Sequence, residues 1–520
     1  MEIWLLIIIA AFIATLLNAF FSFPSKSHRN LPPGPRGIPI LSTILWFRKS
    51  STEREQLLRD FGSKFGPITT LYSGSLPQIF ISDRTLAHQA LIQNGAIFAD
   101  RPKAPLIGPL LRSNEYEINS AGYGPTWRLL RRNLTSNILH PSKSKDFSDA
   151  RKCVLEILVN HLKNDGNGVK VIDHFRFATF SLLVFMCFGE KLEESCIREI
   201  EEVIHQPLSS FNRFQVLNSR PWLTRIFLRS RWNEMLTWRK KQDKVIIPYI
   251  QARKGLHQKE KITCYVDTLL DLEIFGDDDH VKRLLTEEEM VTACSEFLAA
   301  GYDTTSTALQ WIMANLVKYP NIQAKLFEEI KGVVGKEVEE IREDELSKMP
   351  YLKAVVLEGL RRHPPFHFVI PHAVTQEVEL GGYTIPRNAT VNFTVAEMGW
   401  DPKEWDDPME FKPERFVSNQ GSDVEDRFDI TGSRKIKMMP FGIGRRICPG
   451  LGFALHHLEY FVANLVWKFE WRVAEGKEVD FSEKQEFTIV MKNPLHAHIS
   501  PRIFKQETRK KTAIVIQSYS

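Results

Sequence analysis

Charge is absent from Ile3 to Phe23. As a helix those residues span about 31 Å, which matches the ~30 Å hydrocarbon core of a bilayer. Glu2 precedes the run, and Lys26, His28 and Arg29 follow it. The positive-inside rule then predicts a single-pass signal-anchor over residues 1–25, with the downstream chain in the cytosol. A cleaved signal peptide would carry Lys or Arg ahead of a shorter apolar core. Residues 26–40 are basic and proline-rich, with Pro32, Pro33, Pro35 and Pro39. They cannot be helix interior and predict a stiff extended hinge.

Helical periodicity dominates residues 41–504, and strand patterns are confined to three short regions. Ile68–Tyr72 and Gln78–Ile81 predict a hairpin. Val378–Leu380, Tyr383–Ile385 and Thr390–Phe393 predict short strands broken by Gly381-Gly382 and Pro386. Phe487–Met491 and His496–Ile499, separated by Asn493-Pro494, predict a third pairing. The longest helix starts at the capping box Thr286-Glu-Glu-Glu289 and runs to Tyr319, where Pro320 stops it. At about 50 Å it crosses the domain. It is apolar on most sides, which predicts a central buried helix. Its middle departs from that pattern: Ala300-Gly301-Tyr302-Asp303-Thr304-Thr305. Glycine in a helix interior costs about 1 kcal/mol against alanine, and buried Asp and Thr must be hydrogen-bonded. Together they predict a site where small residues admit a planar ligand and a Thr hydroxyl opens the helical ladder. The fold class is mainly α with small β-sheets.

Composition narrows the function. At 520 residues, 43% hydrophobic and 25% charged, the chain is neither disordered nor a multi-span membrane protein. A net charge of +5 is too small over this length to argue for nucleic acid. It leaves room for one basic patch facing an acidic partner. Six cysteines, none in a C-x-x-C pair, exclude a zinc ribbon and suit a reducing compartment.

One cysteine has a distinct setting. In Pro440-Phe-Gly-Ile-Gly-Arg-Arg-Ile-Cys-Pro-Gly450, Gly442 and Gly444 supply tight turns, and Pro449 suits a first helical position. A Cys448 thiolate at that helix N-terminus is stabilised by main-chain N–H groups and is a soft ligand for iron. A nucleophilic role would need a local general base, and His456 and His457 lie two helical turns away.

F-x-x-G-x-R-x-C-x-G, here Phe441 to Gly450, resembles the heme-thiolate signature of the cytochrome P-450 superfamily. Ala300 to Thr305 resembles the oxygen-activation helix, Glu358-x-x-Arg361 the E-x-x-R motif, Phe411 to Phe416 the P-E-R-F element, and Trp127-x-x-x-Arg131 a heme-facing helix. The anchor and Pro-Pro-Gly-Pro resemble a microsomal member, and the surroundings of Glu358 and Cys448 the plant A-type group. Arg362 and Tyr302 depart from the usual residues, and Tyr302 is expected to alter the pocket.

The resemblance implies a heme b cofactor with Cys448 as axial iron ligand, and Trp127, Arg131, His372 and Arg446 at the propionates. Arginine pairs carboxylates well and tryptophan donates one N–H. It implies that Asp303 and Thr304 deliver protons to bound dioxygen, with Ala300 and Gly301 leaving room for it. Glu358, Arg361 and Arg415 correspond to a buried triad that locks the Cys448 loop. By family position the substrate pocket draws on the Ala104–Asn119 loop and on Phe297, Ala300, Phe366, Phe368, Val369 and Ile489. No flavin or nicotinamide segment is present, so NADPH electrons would come through NADPH-cytochrome P-450 reductase, with cytochrome b5 as an additional donor. Arg434, Lys435, Lys437, Arg445 and the tail near Lys510-Lys511 form the expected docking patch. The implied protein is a monooxygenase of secondary metabolism on the endoplasmic reticulum membrane, with its catalytic domain at 41–504 and a polar tail at 505–520. A heme-thiolate isomerase or dehydratase would tend to lack the Asp303-Thr304 pair. A non-catalytic heme protein would need neither Thr304 nor a reductase surface.

Overall fold

The computed structural model describes residues 30–502, apart from 36–48, 50, 74–75, 104–115, 166–167, 211–212, 215–216, 218–220, 257–261, 276–281, 336–337 and 418–428. The expected anchor, most of the hinge, most of the Ala104–Asn119 loop and the tail with Lys510-Lys511 lie outside the described residues. The longer helices are α1 (Ser51–Phe65), α2 (Pro125–Asn137), α3 (Ser148–Asn164), α4 (Val171–Phe188), α5 (Glu194–Ser209), α6 (Arg229–Lys254), α7 (Glu287–Lys318), α8 (Pro320–Val334), α9 (Pro350–Arg362) and α10 (Leu451–Lys468).

Helix α7 is the axis of the core. Its capping box forms: the Glu289 N–H donates to Thr286 Oγ1 at 3.2 Å, and the Thr286 N–H to the Glu289 carboxylate at 2.8 Å. Lys318 ends it, Tyr319 caps it, and Pro320 opens α8. The expected opening of the ladder does not occur. Thr304 and Ser306 donate to the carbonyls of Ala300 and Tyr302, four residues back. A carbonyl oxygen has two lone pairs, so it accepts the hydroxyl without surrendering its helical N–H.

Gly301 has a different role from the one expected. A Cβ there would stand 2.9 Å from Leu183 Cδ1 on α4. The glycine admits a neighbouring helix rather than a planar ligand. Helix α4 is apolar and long enough to cross a membrane, yet 78% of it is buried inside the fold. Phe175, Phe180 and Met186 lie in the main hydrophobic core with Trp311, Leu316 and Phe461, which makes α4 a core helix.

Strands β1 (Ile68–Ser73) and β2 (Leu76–Ile81) form the expected antiparallel hairpin, with Thr70 opposite Ile79. Besides the short strands Val169–Lys170, Glu273–Phe275 and Lys282–Leu284, the others are β3 (His372–Ala373), β4 (Val378–Leu380), β5 (Tyr383–Ile385), β6 (Thr390–Phe393), β7 (Phe469–Val473), β8 (Glu483–Gln485), β9 (Ile489–Met491) and β10 (His496–Pro501). β4 and β5 pair around Gly381-Gly382, as their spacing suggests. β6 instead runs parallel to β2, Gln78 opposite Thr390, in a sheet of order β1-β2-β6-β3. The third expected pairing is wrong. β9 pairs with β8, and β10 pairs with β7 and with Val169–Lys170. The β8–β9 turn closes through the Glu486 N–H on the Thr488 carbonyl at 2.9 Å. That turn satisfies β9 locally and leaves β10 for a distant partner.

Residues 30–35 are docked on β1 and on β5 of the separate β4–β5 pair. The Pro33 carbonyl accepts the Thr70 N–H at 2.9 Å, and the Asn30 carbonyl accepts the Thr384 N–H at 2.9 Å. The chain therefore enters the body at a fixed point. A second apolar cluster joins Ile79, Val391 and Phe393 of the β1-β2-β6-β3 sheet to Met439 and Ile443, and a third joins Met438 and Phe441 to Leu451 and Leu455 of α10, so the segment leading to Cys448 lies between sheet and α10.

Candidate heme-binding site

The Cys448 loop is shaped by Gly442 and Gly444, with φ of +65° and +75°. A Cβ at Gly444 would stand 2.2 Å from the Leu91 carbonyl oxygen, so only glycine fits. The loop closes through the Cys448 N–H on the Phe441 carbonyl at 2.8 Å. α10 begins at Leu451 with Gly450 as its cap, later than the Pro449 start expected. Burial pushes the Cys448 thiol up, while the Gly450 N–H and Arg131 pull it down. The helix-terminus effect is thus present and smaller than desolvation. A bound metal cation deprotonates such a thiol outright.

Beside the loop lies a concentration of buried positive charge. Arg446 donates to the carbonyls of Ala99, Ile118 and Ala121 at 2.7, 3.0 and 2.6 Å. Trp127 Nε1 donates to the Ile118 carbonyl at 2.9 Å, and Arg131 to the Ile447 carbonyl. The Arg446 and Arg131 guanidinium carbons stand 4.4 and 5.4 Å from the Trp127 ring. Arg101, which has no sequence signal of its own, donates to the carbonyls of Asn119 and Ile370 at 2.7 and 2.8 Å. Burial, followed by repulsion from Arg446, brings Arg101 down to about 9. Burial brings Arg446 down to about 10, against the pull of Asp100. His372, whose Nδ1 is 2.6 Å from the Phe98 carbonyl, is driven by burial to about 3 and is neutral. Three guanidiniums, each on its own main-chain acceptors and with Asp100 as the counter-charge nearest to two of them, leave positive charge in excess. The donor set fits a flat diacid such as heme, whose carboxylates these arginines would pair.

On the opposite side, Ala300 is exposed and Thr304 half-buried on a helix that is otherwise largely buried. With Glu296 they make one stripe, spaced four residues apart. Phe297 is off that stripe; its ring packs 5.1 Å from Tyr265 in the main core. Tyr302 also points away from it, onto Phe180, with its hydroxyl donating to Glu201 at 2.8 Å. The expected effect of Tyr302 on the pocket is therefore absent. Asp303 is buried and bound on its far side, to Arg176 Nη2 at 3.2 Å and Thr488 Oγ1 at 2.6 Å. Arg176 reaches Glu486 at 3.9 Å.

Glu296 is a residue that sequence reasoning missed. Its two oxygens accept the N–H groups of Ile118 and Asn119 at 2.7 and 2.6 Å. It clasps to α7 the same segment that Arg446 and Trp127 hold. Burial and then Glu117 push its pKa up to about 8. Acidic residues on an apolar helix are a signal, but the partner loop is 177 positions away.

Phe366 packs edge-on to Phe487 at 5.5 Å, and Phe368 to Phe80 at 6.2 Å. Val369 lies 3.7 Å from where a Gly442 Cβ would be, so it borders the Cys448 loop. Ile489 is buried, its N–H on the Pro365 carbonyl at 2.9 Å.

Glu358, Arg361 and Arg415 come together. Arg361 donates to both Glu358 oxygens at 2.6 and 2.7 Å, and Arg415 Nε to one at 3.3 Å. The arginines also bind the carbonyls of Gly399, Pro408 and Asp407. The triad thus locks residues 399–415, not the Cys448 loop itself. Its reach to that loop is apolar, through Trp405 and Phe416 packed with Met438 and Phe441. Arg362, unusual in sequence, is buried under Phe481 and bonded to Asn315.

A model of the cytochrome P450 family matches residues 32–499. Cytochrome P450 89A9 of Arabidopsis thaliana is 51% identical, covering 96% of this chain and 98% of that protein. Flavonoid 3'-monooxygenase of Arabidopsis thaliana is 28% identical over 96% and 97%, and costunolide synthase of Cichorium intybus 29% over 94% and 97%. Among solved structures, a zebra fish cytochrome P450 with abiraterone superimposes with a TM-score of 0.68 at 23% identity, covering 89% of this chain and all of that one.

Proposed function

The chain belongs to the cytochrome P450 family, and from that premise we propose a membrane-anchored monooxygenase with Cys448 as iron ligand, acting on a partly apolar small metabolite. Family membership makes it a heme-thiolate oxidoreductase of the monooxygenase class. Heme, when bound, supplies the activation of dioxygen. The chain's own residues do the rest. Arg446, Arg131 and Arg101 would neutralise the two propionates, with Trp127 and neutral His372 beside them. The observation that carries this reading is that charge excess, buried next to Cys448 and bonded only to main-chain carbonyls among the partners named above.

Proton delivery falls to Asp303 and Thr304. Asp303 Oδ2 holds the Thr488 hydroxyl, and Oδ1 faces Arg176, which leads to half-exposed Glu486. Thr304 Oγ1 lies on the cavity stripe. Protons would enter at Glu486, pass to Asp303 while the permanently charged Arg176 holds the two carboxylates in line, and be presented by Thr304. The presence of this pair supports oxygen insertion over isomerase, dehydratase or passive heme binding. The proposed wall is Ala300, Phe366, Phe368, Val369 and Ile489; Phe297 is left to the core. Such a wall presents apolar surface to the substrate.

Residues 1–25 are proposed as an endoplasmic reticulum anchor, 26–40 as hinge, 41–504 as cytosolic catalytic domain and 505–520 as tail. Electrons are proposed to come from NADPH through an acidic reductase domain, or cytochrome b5. The docking patch needs revision. Lys435 is occupied by Glu404 at 3.0 Å. Arg445 is exposed and joins Arg128 of α2 around one ring, their guanidinium carbons 5.5 and 5.1 Å from Tyr123. The reduced protein with carbon monoxide is expected to show the red-shifted Soret band of a thiolate-ligated heme. Cys448→Ala should abolish that band, and a variant that keeps it would remove Cys448 as ligand.

A further inference from the structure

We propose that His367 is a positioning residue for the substrate pocket: its imidazolium, clamped between Glu55 of α1 and Glu483 of β8, sets the spacing of the two segments that form one pocket wall. The proposal rests on the assignment of residues 366–369 and 488–491 to that wall.

His367 is buried at 4% exposure, between Phe366 and Phe368. Its Nδ1 hydrogen-bonds a Glu55 oxygen at 2.7 Å, and its Nε2 lies at ion-pair distance, 3.3 Å, from a Glu483 oxygen without hydrogen-bond alignment. An ionised carboxylate only accepts, and a neutral imidazole has one N–H to give. Both contacts are favourable together only when the ring carries both protons. Burial opposes that charge, and the ion pairs with Glu483 and Glu55 outweigh it, holding His367 at about 9. Glu483 is held at about 2 by His363 and His367, again against burial.

Arg54 on α1 also acts on Glu55 by charge. Arg59 on α1 stands 3.8 Å from Glu55 and is itself bonded to Glu397 at 3.2 Å. His363 and Arg362 face it from the end of α9. Burial takes His363 to about 4, so it is neutral and offers Nδ1 to Glu483 at 3.2 Å. It lies flat against Trp311 at 4.0 Å, which fixes the ring.

Each carboxylate arrives on a different element. β8 opens the hairpin whose turn carries Thr488, the partner of Asp303, and whose return strand carries Ile489. The His367 carbonyl accepts the Val395 N–H at 2.7 Å, so the histidine itself is anchored to the β6 side. The two wall segments are tied by the Pro365–Ile489 main-chain bond, the Phe366–Phe487 ring contact, the His363–Glu483 contact and the charge clamp. Removing one member of a buried ion pair leaves the other uncompensated. Glu483, already 26% exposed and left with neutral His363, is then expected to turn further into water, and the hairpin and the wall with it.

The test uses full-length, heme-loaded protein, with the carbon monoxide spectrum as a fold check. His367→Gln keeps one N–H and loses the charge; Glu483→Gln reaches the clamp from the other side. The probes are imidazole, which contacts little beyond the iron, and 4-phenylimidazole, which reaches the wall, both read by the Soret shift of the ferric protein. Both variants should change 4-phenylimidazole affinity at least fivefold and imidazole affinity less than twofold. Amide hydrogen exchange at Ile489 should speed at least tenfold while α10 is unchanged. Raising the pH of the wild type from 7 to 10 should reproduce that exchange change, corrected for intrinsic rate. The sign follows from a folded pKa above the ordinary 6.5: the clamp's contribution is complete below pH 6.5 and is lost as pH rises through about 9. An unaltered affinity ratio in folded variants overturns the proposal, even with faster exchange, because His367 would then be merely structural. Should the variants fail to fold, wild-type exchange at Ile489 that is flat from pH 7 to 10 overturns it. A wild type that binds neither probe at its iron would instead overturn the pocket assignment beneath it.

Discussion

Asp303 shows how a side chain's role depends on what stands behind it. It is buried, and its carboxylate is divided between Arg176 and the Thr488 hydroxyl. Thr488→Val removes one of those donors at nearly constant volume. Leaving a buried acceptor short of a partner costs about 1–3 kcal/mol. The expected outcome is a lower melting temperature and a larger share of NADPH oxidised to peroxide in a reductase-coupled assay, with heme content unchanged. Peroxide yield equal to wild type would take Thr488 out of the proton path. Glu296 yields a pH prediction. Its pKa of about 8 lies above the ordinary 4.5 because burial and Glu117 disfavour the charge. The associated stability is complete below pH 4.5 and is lost as pH rises through about 8. Glu296→Gln, which cannot ionise, should therefore flatten the fall in melting temperature between pH 5 and 8. Parallel curves for the two proteins would refute the assignment.

At the scale of elements, the close approach of α7 and α4 depends on one missing side chain. Gly301 faces Leu183, whose two methyls lie 2.9 and 3.0 Å from any added Cβ. Gly301→Ala gains helix propensity and needs only a leucine rotation, so it should be close to neutral. Gly301→Val overpacks the contact and should cost about 1–3 kcal/mol. Leu183→Ala should rescue it partly in the double variant, measured by urea unfolding, whereas additive losses would mean the two residues do not meet. Element existence was largely legible: the capping box at Thr286, the β1–β2 hairpin and the β4–β5 hairpin stand where their residues put them. Partner choice was not. β10 and β6 carry the same alternation whether their partner is adjacent or hundreds of residues away, and local pattern holds no information on that distance.

For the molecule as a whole, a formal charge of +5 conceals an uneven distribution. Buried arginines gather beside Cys448, and exposed Arg128 and Arg445 flank Tyr123 on the surface. Opposite charge on a partner raises the encounter rate, and salt screens it over a Debye length of about 8 Å at physiological strength. Arg128→Glu with Arg445→Glu should slow first-electron transfer from the reductase about tenfold at low salt, and less at 0.5 M salt. Affinity for 4-phenylimidazole should stay at the wild-type value. A reduction rate indifferent to both the reversal and the salt would make these arginines ordinary surface.

By itself the sequence determined the chemistry. The glycines and Cys448 of one loop, the Ala300–Thr305 stretch, and Glu358 with Arg361 are short-range patterns, since turns, helix faces and three-residue spacings are local geometry. The tertiary structure alone decided what those residues meet. It turned Gly301 toward Leu183, Tyr302 toward Glu201 and Phe297 toward Tyr265, leaving Ala300 and Thr304 uncovered on α7. It brought Arg101 to Arg446 and Glu296 to Ile118, and it set His367 between Glu55 and Glu483. All of those pairings except Phe297 with Tyr265 join residues more than a hundred positions apart. Their energy comes from shared burial and charge, which exist only once the chain has closed on itself.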